Sequence, residues 1–234
     1  MAIFIGMRNL GIKIQILGLV LTFALIFTNC SRKQKLIEAI DEKMLQEAIE
    51  YGKSKAGLTM YEFTEPWSVY LGYDVGKGRA VYVTQFLQAA QLAKNAAEKN
   101  LKPDINIIRK VVASKSGTLN FLVTTYGNEP DVSRRIRAYL LYNDKKIEPV
   151  YSHFPPYGEF SRDYYQQVNG EVRFPAAGIP KNAIVNLCIE ILPEKEKKKH
   201  EHHDDHEHET LITVGKISPE HIVTQFTFDL SKYR

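Results

Sequence analysis

The 234-residue sequence has little cysteine, a single tryptophan and no large excess of charge. Its two cysteines, Cys30 and Cys188, are too few for a disulfide-stapled scaffold. Lys and Arg total 31 against 27 Asp and Glu, and the formal charge of +4 is too small and too scattered for a nucleic-acid-binding surface. With 44% hydrophobic and 25% charged residues, the composition is that of an ordinary globular protein.

Motifs of catalysis are also lacking. Residues 52–54 look like the end of a phosphate-binding loop, but Glu47 stands where that motif needs glycine. The Gly-Lys-Gly of residues 76–78 has no third glycine, and the chain contains no G-x-S-x-G elbow. Cys188 lies in a strand-like run without a histidine motif, so we expect half-buried packing there rather than a catalytic thiol. The sequence therefore favours a protein that is not an enzyme, although motif searches miss sites assembled in space.

The one long apolar run covers residues 14–28 and follows a segment that contains Arg8 and Lys13 but no acid. A transmembrane helix needs about 20 apolar residues, so this run is short for a membrane span. A basic segment, a short apolar core and polar residues after it predict a secretory signal peptide over residues 1–29, starting at Met1 or Met7.

Cys30 follows this run directly, and residues 27–30, Phe-Thr-Asn-Cys, resemble the lipobox of bacterial lipoprotein precursors. Phe27 and Asn29 differ from the usual Leu and Gly or Ala, and in this they are similar to the relaxed lipoboxes of spirochaete lipoproteins. The resemblance covers only about the first 30 residues. It implies that a diacylglyceryl group is attached to the Cys30 thiol and that the signal peptide is cut before Cys30, which becomes the acylated, palmitate-bearing first residue.

Acylation would make residues 30–35 a lipidated tether that holds the body of the chain at a membrane surface, since each buried methylene contributes about 0.8 kcal/mol. Ser31 stands where the inner-membrane retention signal of enteric bacteria has Asp, so we expect the outer membrane rather than the inner membrane. The alternative is an uncleaved N-terminal anchor with an incidental cysteine.

Residues 36–117 are predicted to form a mixed α/β region. Apolar residues recur at spacings of three and four over 35–55, which is typical of a helix. Two strand-like runs around a glycine-containing turn predict a β-hairpin over 67–84. Two further helices are predicted after Thr84, a candidate N-cap, and after Pro103, a residue favoured in a first turn.

From residue 118 onward the apolar period changes to two, as in half-buried strands. Strands are predicted over 119–124, 135–142, 147–151, 164–174, 183–192, 211–217 and 222–230. Together the two halves predict an α+β fold in which residues 118–234 form an antiparallel β-sandwich, with an immunoglobulin-like topology as one candidate. The Cys-Trp-Cys pattern of antibody domains is absent, and the boundary near residue 117 is either a domain junction or a loop within one α+β unit.

Residues 194–209 are sixteen consecutive ionisable residues between two predicted strands, so we expect this segment to lie in solvent. It holds five of the seven histidines, and imidazole with carboxylate suits Zn, Ni or Cu. The candidate metal ligands are His200, His202, His203, Asp204, His206 and His208. The alternative is a charged loop that protects a hairpin from aggregation, since the spacings of a rigid zinc site are missing.

Residues 151–165 combine six aromatic side chains with two consecutive prolines. Stiff backbone and amphipathic rings suit recognition of a protein partner, and the alternative is a loop that packs over the open end of a sandwich. The candidate partner-binding residues are Tyr151, Phe154, Tyr157, Phe160, Tyr164 and Tyr165.

These patterns predict a membrane-anchored bacterial lipoprotein that is a non-enzymatic binding or structural module of the cell envelope. Its partners would be the membrane, through the acyl chains of Cys30, and a protein, but not nucleic acid. The alternative is a periplasmic or surface lipoprotein that captures Zn, Ni or Cu through residues 200–208.

Overall fold

The computed structural model describes residues 40–160, 165–193 and 221–233. They belong to one compact unit, Leu36–Arg234, of mixed α+β architecture with antiparallel sheets. The predicted signal peptide, lipobox and tether, the charged segment 194–209 and the predicted strand 211–217 lie outside the described residues. No helix in the described part of the chain is long and apolar enough to span a membrane.

Four helices precede most of the strands: α1 (Glu42–Ser54), α2 (Met60–Thr64), α3 (Gln85–Glu98) and α4 (Ile105–Ala113). Each begins at a side-chain cap, namely Asp41, Thr59, Thr84 and Asp104, which accepts a hydrogen bond from a backbone N–H of the first turn. The three predicted helices are confirmed, but α1 begins at Glu42 because Asp41 caps it. Helix α4 begins at Ile105 because Asp104 caps it, so Pro103 precedes the helix and is not in its first turn. Helix α2 is not among the predicted helices, although Thr59 and Glu62 form a reciprocal capping box.

Ten strands are described: β1 (Ser68–Tyr70), β2 (Gly78–Tyr82), β3 (Thr118–Gly127), β4 (Ile136–Tyr142), β5 (Lys145–Ile147), β6 (Tyr151–His153), β7 (Glu159–Phe160), β8 (Gln166–Pro175), β9 (Ile184–Ile191) and β10 (Ile222–Asp229). The larger sheet has the order β1-β2-β3-β8-β6, with β7 also paired to β8, and the smaller sheet has the order β10-β9-β4-β5. All pairs are antiparallel.

The predicted strand over 147–151 is wrong. The strand β5 ends at Ile147 in the smaller sheet, and β6 begins at Tyr151 in the larger sheet. The chain therefore changes sheets within this run, and Pro149, which has no N–H to donate, lies at the crossing. Strand β2 from residues 36–117 pairs with β3 from residues 118–234, so both regions contribute to the larger sheet.

One hydrophobic core contains residues of both sheets, and its members follow the alternation of apolar residues predicted from the sequence. Its buried side chains include Ala80, Tyr82, Leu119, Phe121, Val123, Ile136, Ala138, Leu140, Val168, Val172, Phe174, Val185, Leu187, Ile189, Ile191, Phe226 and Phe228. Cys188 is on the other face of β9, opposite Tyr139, and is 1% exposed, so it is more deeply buried than expected. Burial raises the pKa of its thiol, which makes Cys188 a poor nucleophile.

A second core joins the four helices to one part of the larger sheet. It contains side chains from α1, α2, α3 and α4 together with Trp67, and from the sheet region it contains only Val81 and Val83. The helices therefore cover the outer face of the sheet at β2. On β3, Leu122 remains 39% exposed. The uncovered part of this face is the setting of the candidate site.

Candidate binding groove

An open groove of about 580 Å³ lies on the outer face of the larger sheet. Its floor is formed by side chains of β2, β3 and β8, and its two walls are formed by α2 and by His153 of β6. We call this feature the sheet groove. The residues that matter most in it are Tyr61, Arg79, Leu122, Thr124, Asn169 and Glu171.

Strand register brings the floor residues together. Arg79 of β2 lies opposite Thr124 of β3, which lies opposite Asn169 of β8. In the adjacent row, Leu122 is opposite Glu171, and Glu171 is opposite His153 of the edge strand β6. Directly paired residues of antiparallel strands project from the same face, so these rows form one continuous surface.

Tyr61 belongs to the α2 wall and is held by Arg79 of the floor. The guanidinium carbon of Arg79 lies 4.0 Å from the centroid of the Tyr61 ring, within the range of a cation–π contact. Arg79 Nη2 also donates to the Tyr61 carbonyl oxygen at 2.9 Å and to Thr64 Oγ1 at 3.0 Å. Arg79 thus holds one face of a ring that is still 50% exposed.

The middle of the floor is polar and only partly saturated with hydrogen bonds. Thr124 Oγ1 donates to Asn169 Oδ1 at 2.8 Å, and Gln167 Nε2 donates to the same oxygen at 3.3 Å. Among the described residues, Asn169 Nδ2, Gln167 Oε1 and the ring nitrogens of His153 have no protein partner. These groups can donate to and accept from a ligand.

Glu171 forms the charged part of the floor and is held by two cations. Its Oε1 accepts from Lys115 Nζ at 3.0 Å and from Arg173 Nε at 2.9 Å. Partial burial opposes its ionisation, but these hydrogen bonds and charges outweigh the burial and lower the pKa of Glu171. The Arg173 guanidinium also lies 4.3 Å from the ring centroid of Tyr151, so the β6 side of the surface has a second tyrosine backed by an arginine.

More tyrosines extend this surface at the β1 edge. Tyr70 is paired with Arg79 across β1 and β2. The centroid of the Tyr70 ring lies 5.4 Å from that of Tyr73, and the centroid of the Tyr73 ring lies 5.6 Å from that of Tyr126. Tyr70 and Tyr73 are 42% and 55% exposed. Partial desolvation, a hydrogen bond with Tyr73 and the neighbouring phenols raise the pKa of Tyr70 to about 12, so it remains a neutral hydroxyl at physiological pH.

The structure distributes the aromatic residues predicted in 151–165 over different surroundings. Tyr151 lies beside the sheet groove, whereas Phe154 is partly buried against the core between the sheets. Tyr157 contacts Arg134 through a 2.7 Å hydrogen bond, and Phe160 in β7 is 79% exposed. Tyr165 is partly buried, and Tyr164 lies outside the described residues.

Sequence reasoning missed most of the sheet groove. A signal was present, because Gln167, Asn169, Glu171 and Arg173 are polar at every second position of a predicted strand. That pattern identifies an outward face. It does not tell which part of the face the helices leave open.

The six candidate metal ligands in 200–208 all lie outside the described residues. Within residues 40–160, 165–193 and 221–233, no three His, Cys, Asp or Glu side chains are placed to hold a metal ion together. Where the described chain stops before residue 194 and resumes at residue 221, His221 Nε2 and Glu190 Oε1 are 2.5 Å apart.

Comparison of the chain with protein-family models, with curated proteins and with solved structures finds no match.

Proposed function

We propose that this chain is a lipid-anchored binding protein of the bacterial cell envelope and that the sheet groove is its binding surface. The observation that carries the binding role is a groove of about 580 Å³ that is lined by the exposed Tyr61 and by amide groups of Gln167 and Asn169 without a partner among the described residues. Concave surfaces that combine apolar area with a few converging polar groups are the usual form of a ligand site. The anchor is supported by Cys30, which stands directly after the signal-like run.

The charged side chains of the groove favour binding over catalysis, because they are already paired within the protein. Arg79 is engaged by Thr64 and by the carbonyl and ring of Tyr61, and Glu171 is engaged by two cations. Glu171 has a lowered pKa and so remains a carboxylate at neutral pH, whereas a general acid needs a raised one. A surface whose charged side chains are paired within the protein suits recognition.

For the scaffold we propose an immunoglobulin-like β-sandwich with helices inserted between its first two strands. The core shared by both sheets supports a sandwich. The order β2-β3-β8-β6 corresponds to strands A-B-E-D of immunoglobulin domains, and β10-β9-β4-β5 corresponds to G-F-C-C′. In this correspondence the charged segment 194–209 belongs to the F–G connection.

The anchor is tested by metabolic labelling with an alkyne-tagged palmitate in a bacterium that expresses the full chain. We expect the wild type to be labelled and to fractionate with outer membranes, and Cys30→Ala to lose both properties. Cys188→Ala is the matched control, because the Cys188 thiol is buried in the fold and should not be acylated. Mass spectrometry of the native N-terminus that finds residues 1–29 still attached, or an unmodified Cys30 thiol, would refute the anchor.

A second candidate function is capture of Zn, Ni or Cu by the histidine-rich segment. It is favoured by five histidines interleaved with carboxylates in a connection whose flanking residues, Ile191 and Ile222, are paired across β9 and β10. Glu190, just before that connection, and His221, at its end, add a carboxylate and an imidazole. The segment could then bind metal without any change in the core.

Isothermal titration of the protein with each metal, beside a variant lacking residues 197–209, tests this candidate. We expect tight binding that prefers one metal in the intact protein and its loss in the deletion variant. The melting temperature of the deletion variant should stay close to that of the wild type, since the paired ends of β9 and β10 remain. Binding that survives the deletion, or that is micromolar and equal for all three metals, argues against a metal function.

A further inference from the structure

We infer that the sheet groove binds a neutral oligosaccharide. The inference rests on the proposed binding role and names the ligand class for the same surface. Four features of the groove and its rim lead to it: tyrosine rings backed by arginines, amide groups without a partner among the described residues, cations that are already paired, and a floor formed mainly by side chains.

The tyrosines have the form that stacking on a sugar ring requires. A pyranose has an apolar face of C–H groups and a rim of hydroxyls, so it packs on an exposed aromatic face while the rim reaches polar groups. Tyr61 is backed by Arg79 at 4.0 Å and is 50% exposed, and Tyr151 is backed by Arg173 at 4.3 Å and is 40% exposed. Each ring is therefore oriented before a ligand arrives, which reduces the entropy lost on binding.

The floor between these tyrosines suits hydroxyl groups, each of which both donates and accepts a hydrogen bond. Among the described residues, the amide nitrogen of Asn169 and the amide oxygen of Gln167 have no hydrogen-bond partner. His153 adds an exposed imidazole with no protein partner among the described residues. The three strand spacings from β2 to β6 span about 14 Å, which is room for a short saccharide chain.

The charge of the lining argues against a strongly ionic ligand. Arg79 and Glu171 are the formally charged side chains of the lining, and the adjacent Lys115 and Arg173 are both paired with the Glu171 carboxylate. Arg79 is already engaged by Tyr61 and Thr64. A phosphate or a polyanionic chain would have to compete with these protein partners for every cation, whereas a neutral polyol needs no cation.

The position of the floor within the sheet argues against an extended peptide. Peptides bind β-sheets mainly by pairing with the unpaired backbone of an edge strand. Strand β3 is paired with β2 and β8, and β8 is paired with β3 and with β6 and β7. The floor therefore presents mainly side chains, as recognition of sugar hydroxyls requires.

The inference is tested by saturation-transfer NMR and titration calorimetry on the detergent-solubilised full chain. The neutral probes are maltohexaose, cellohexaose and chitohexaose, and a hyaluronate hexamer is the acidic comparison. We expect at least one neutral probe to bind, with the strongest transfer to ring C–H protons, and the acidic probe to bind more weakly.

Variants locate the binding. Tyr61→Ala and Asn169→Ala should each lower the affinity about tenfold or more, as is typical of central contacts. Tyr139→Ala is the matched control, because the Tyr139 ring is also backed by a cation, Lys146 at 4.4 Å, but lies on the smaller sheet. It should bind like the wild type, and melting curves should show that both groove variants are folded.

The inference is overturned if no neutral probe binds at millimolar concentration, if only the acidic probe binds, or if the two groove variants bind like the wild type. Palmitate labelling of Cys30 is independent of these results. A labelled protein without saccharide binding would refute the ligand class alone. An unlabelled protein that binds a neutral probe would refute the envelope anchor alone.

Discussion

At the scale of single residues, salt bridges between charged side chains of separate elements hold the outer face of the larger sheet. Lys115 follows α4, Glu171 and Arg173 belong to β8, and the three meet through Glu171 Oε1. The carboxylate is only partly exposed, so its contacts with both cations are less screened than those of a fully exposed pair. The lowered pKa of Glu171 is the consequence of these contacts.

The lowered pKa predicts how acid acts on this residue. Because Glu171 ionises more easily in the folded state than in the unfolded state, its stabilisation is present above the ordinary value of 4.5 and is lost as pH falls through the folded pKa. We expect Glu171→Gln to lower the free energy of unfolding at neutral pH by less than about 1 kcal/mol. The difference from the wild type should shrink at about pH 3.5.

Urea unfolding followed by the fluorescence of Trp67, the single tryptophan, measures both values. Glu159→Gln is the control, because Glu159 is exposed in β7 and is in no ion pair among the described residues, and it should behave like the wild type. A Glu171→Gln variant that differs from the wild type equally at both pH values would contradict this account of the pKa.

At the scale of secondary-structure elements, α1 and α3 approach closely because small residues meet between them. Ala48 of α1 and Ala89, Ala90 and Ala93 of α3 are fully buried. A Cβ on Gly52 would overlap the carbonyl oxygen of Ala90, which is rigid backbone. Glycine at position 52 therefore sets the distance between the two helices.

Because of this close approach, a glycine-to-alanine change within a helix should lower the stability of the fold here, which is the opposite of its usual effect. Alanine is the better helix former by about 1 kcal/mol, yet Gly52→Ala should destabilise the fold by about 1–3 kcal/mol because the helices must separate. Gly57→Ala is the matched control, since a Cβ there meets nothing within 4 Å, and it should be neutral or slightly stabilising. Thermal unfolding monitored by Trp67 fluorescence and circular dichroism measures both, and a stabilised Gly52→Ala variant would contradict the packing.

At the scale of the whole molecule, the sheet groove exists because distant parts of the chain share one sheet. Tyr61 precedes the first strand, Arg79 comes from β2, Asn169 comes from β8 and His153 comes from the edge strand β6. The helical layer covers Val81 and Val83 and leaves the β3 and β8 side of the face open. A binding surface thus forms where the second core ends.

The sequence alone determined the local structure. Apolar spacing predicted α1, α3 and α4, and alternation predicted β3, β4, β8, β9 and β10 together with their inward side chains. These elements can be predicted because each pattern depends on neighbouring residues and on the repeat of a single helix or strand. The same local patterns gave a wrong strand at 147–151, where the chain passes from one sheet to the other. They also gave no prediction of the short helix α2.

Only the tertiary structure decided which outward-facing residues form a site. Polar residues at alternate positions of β8 predict exposure to solvent, but their meeting with Tyr61 and Arg79 depends on strand order and on where α2 packs. Exposure of a face follows from the period of a strand, which is a local property. The shape of a groove follows from which elements cover that face, and this depends on contacts between residues far apart in the chain.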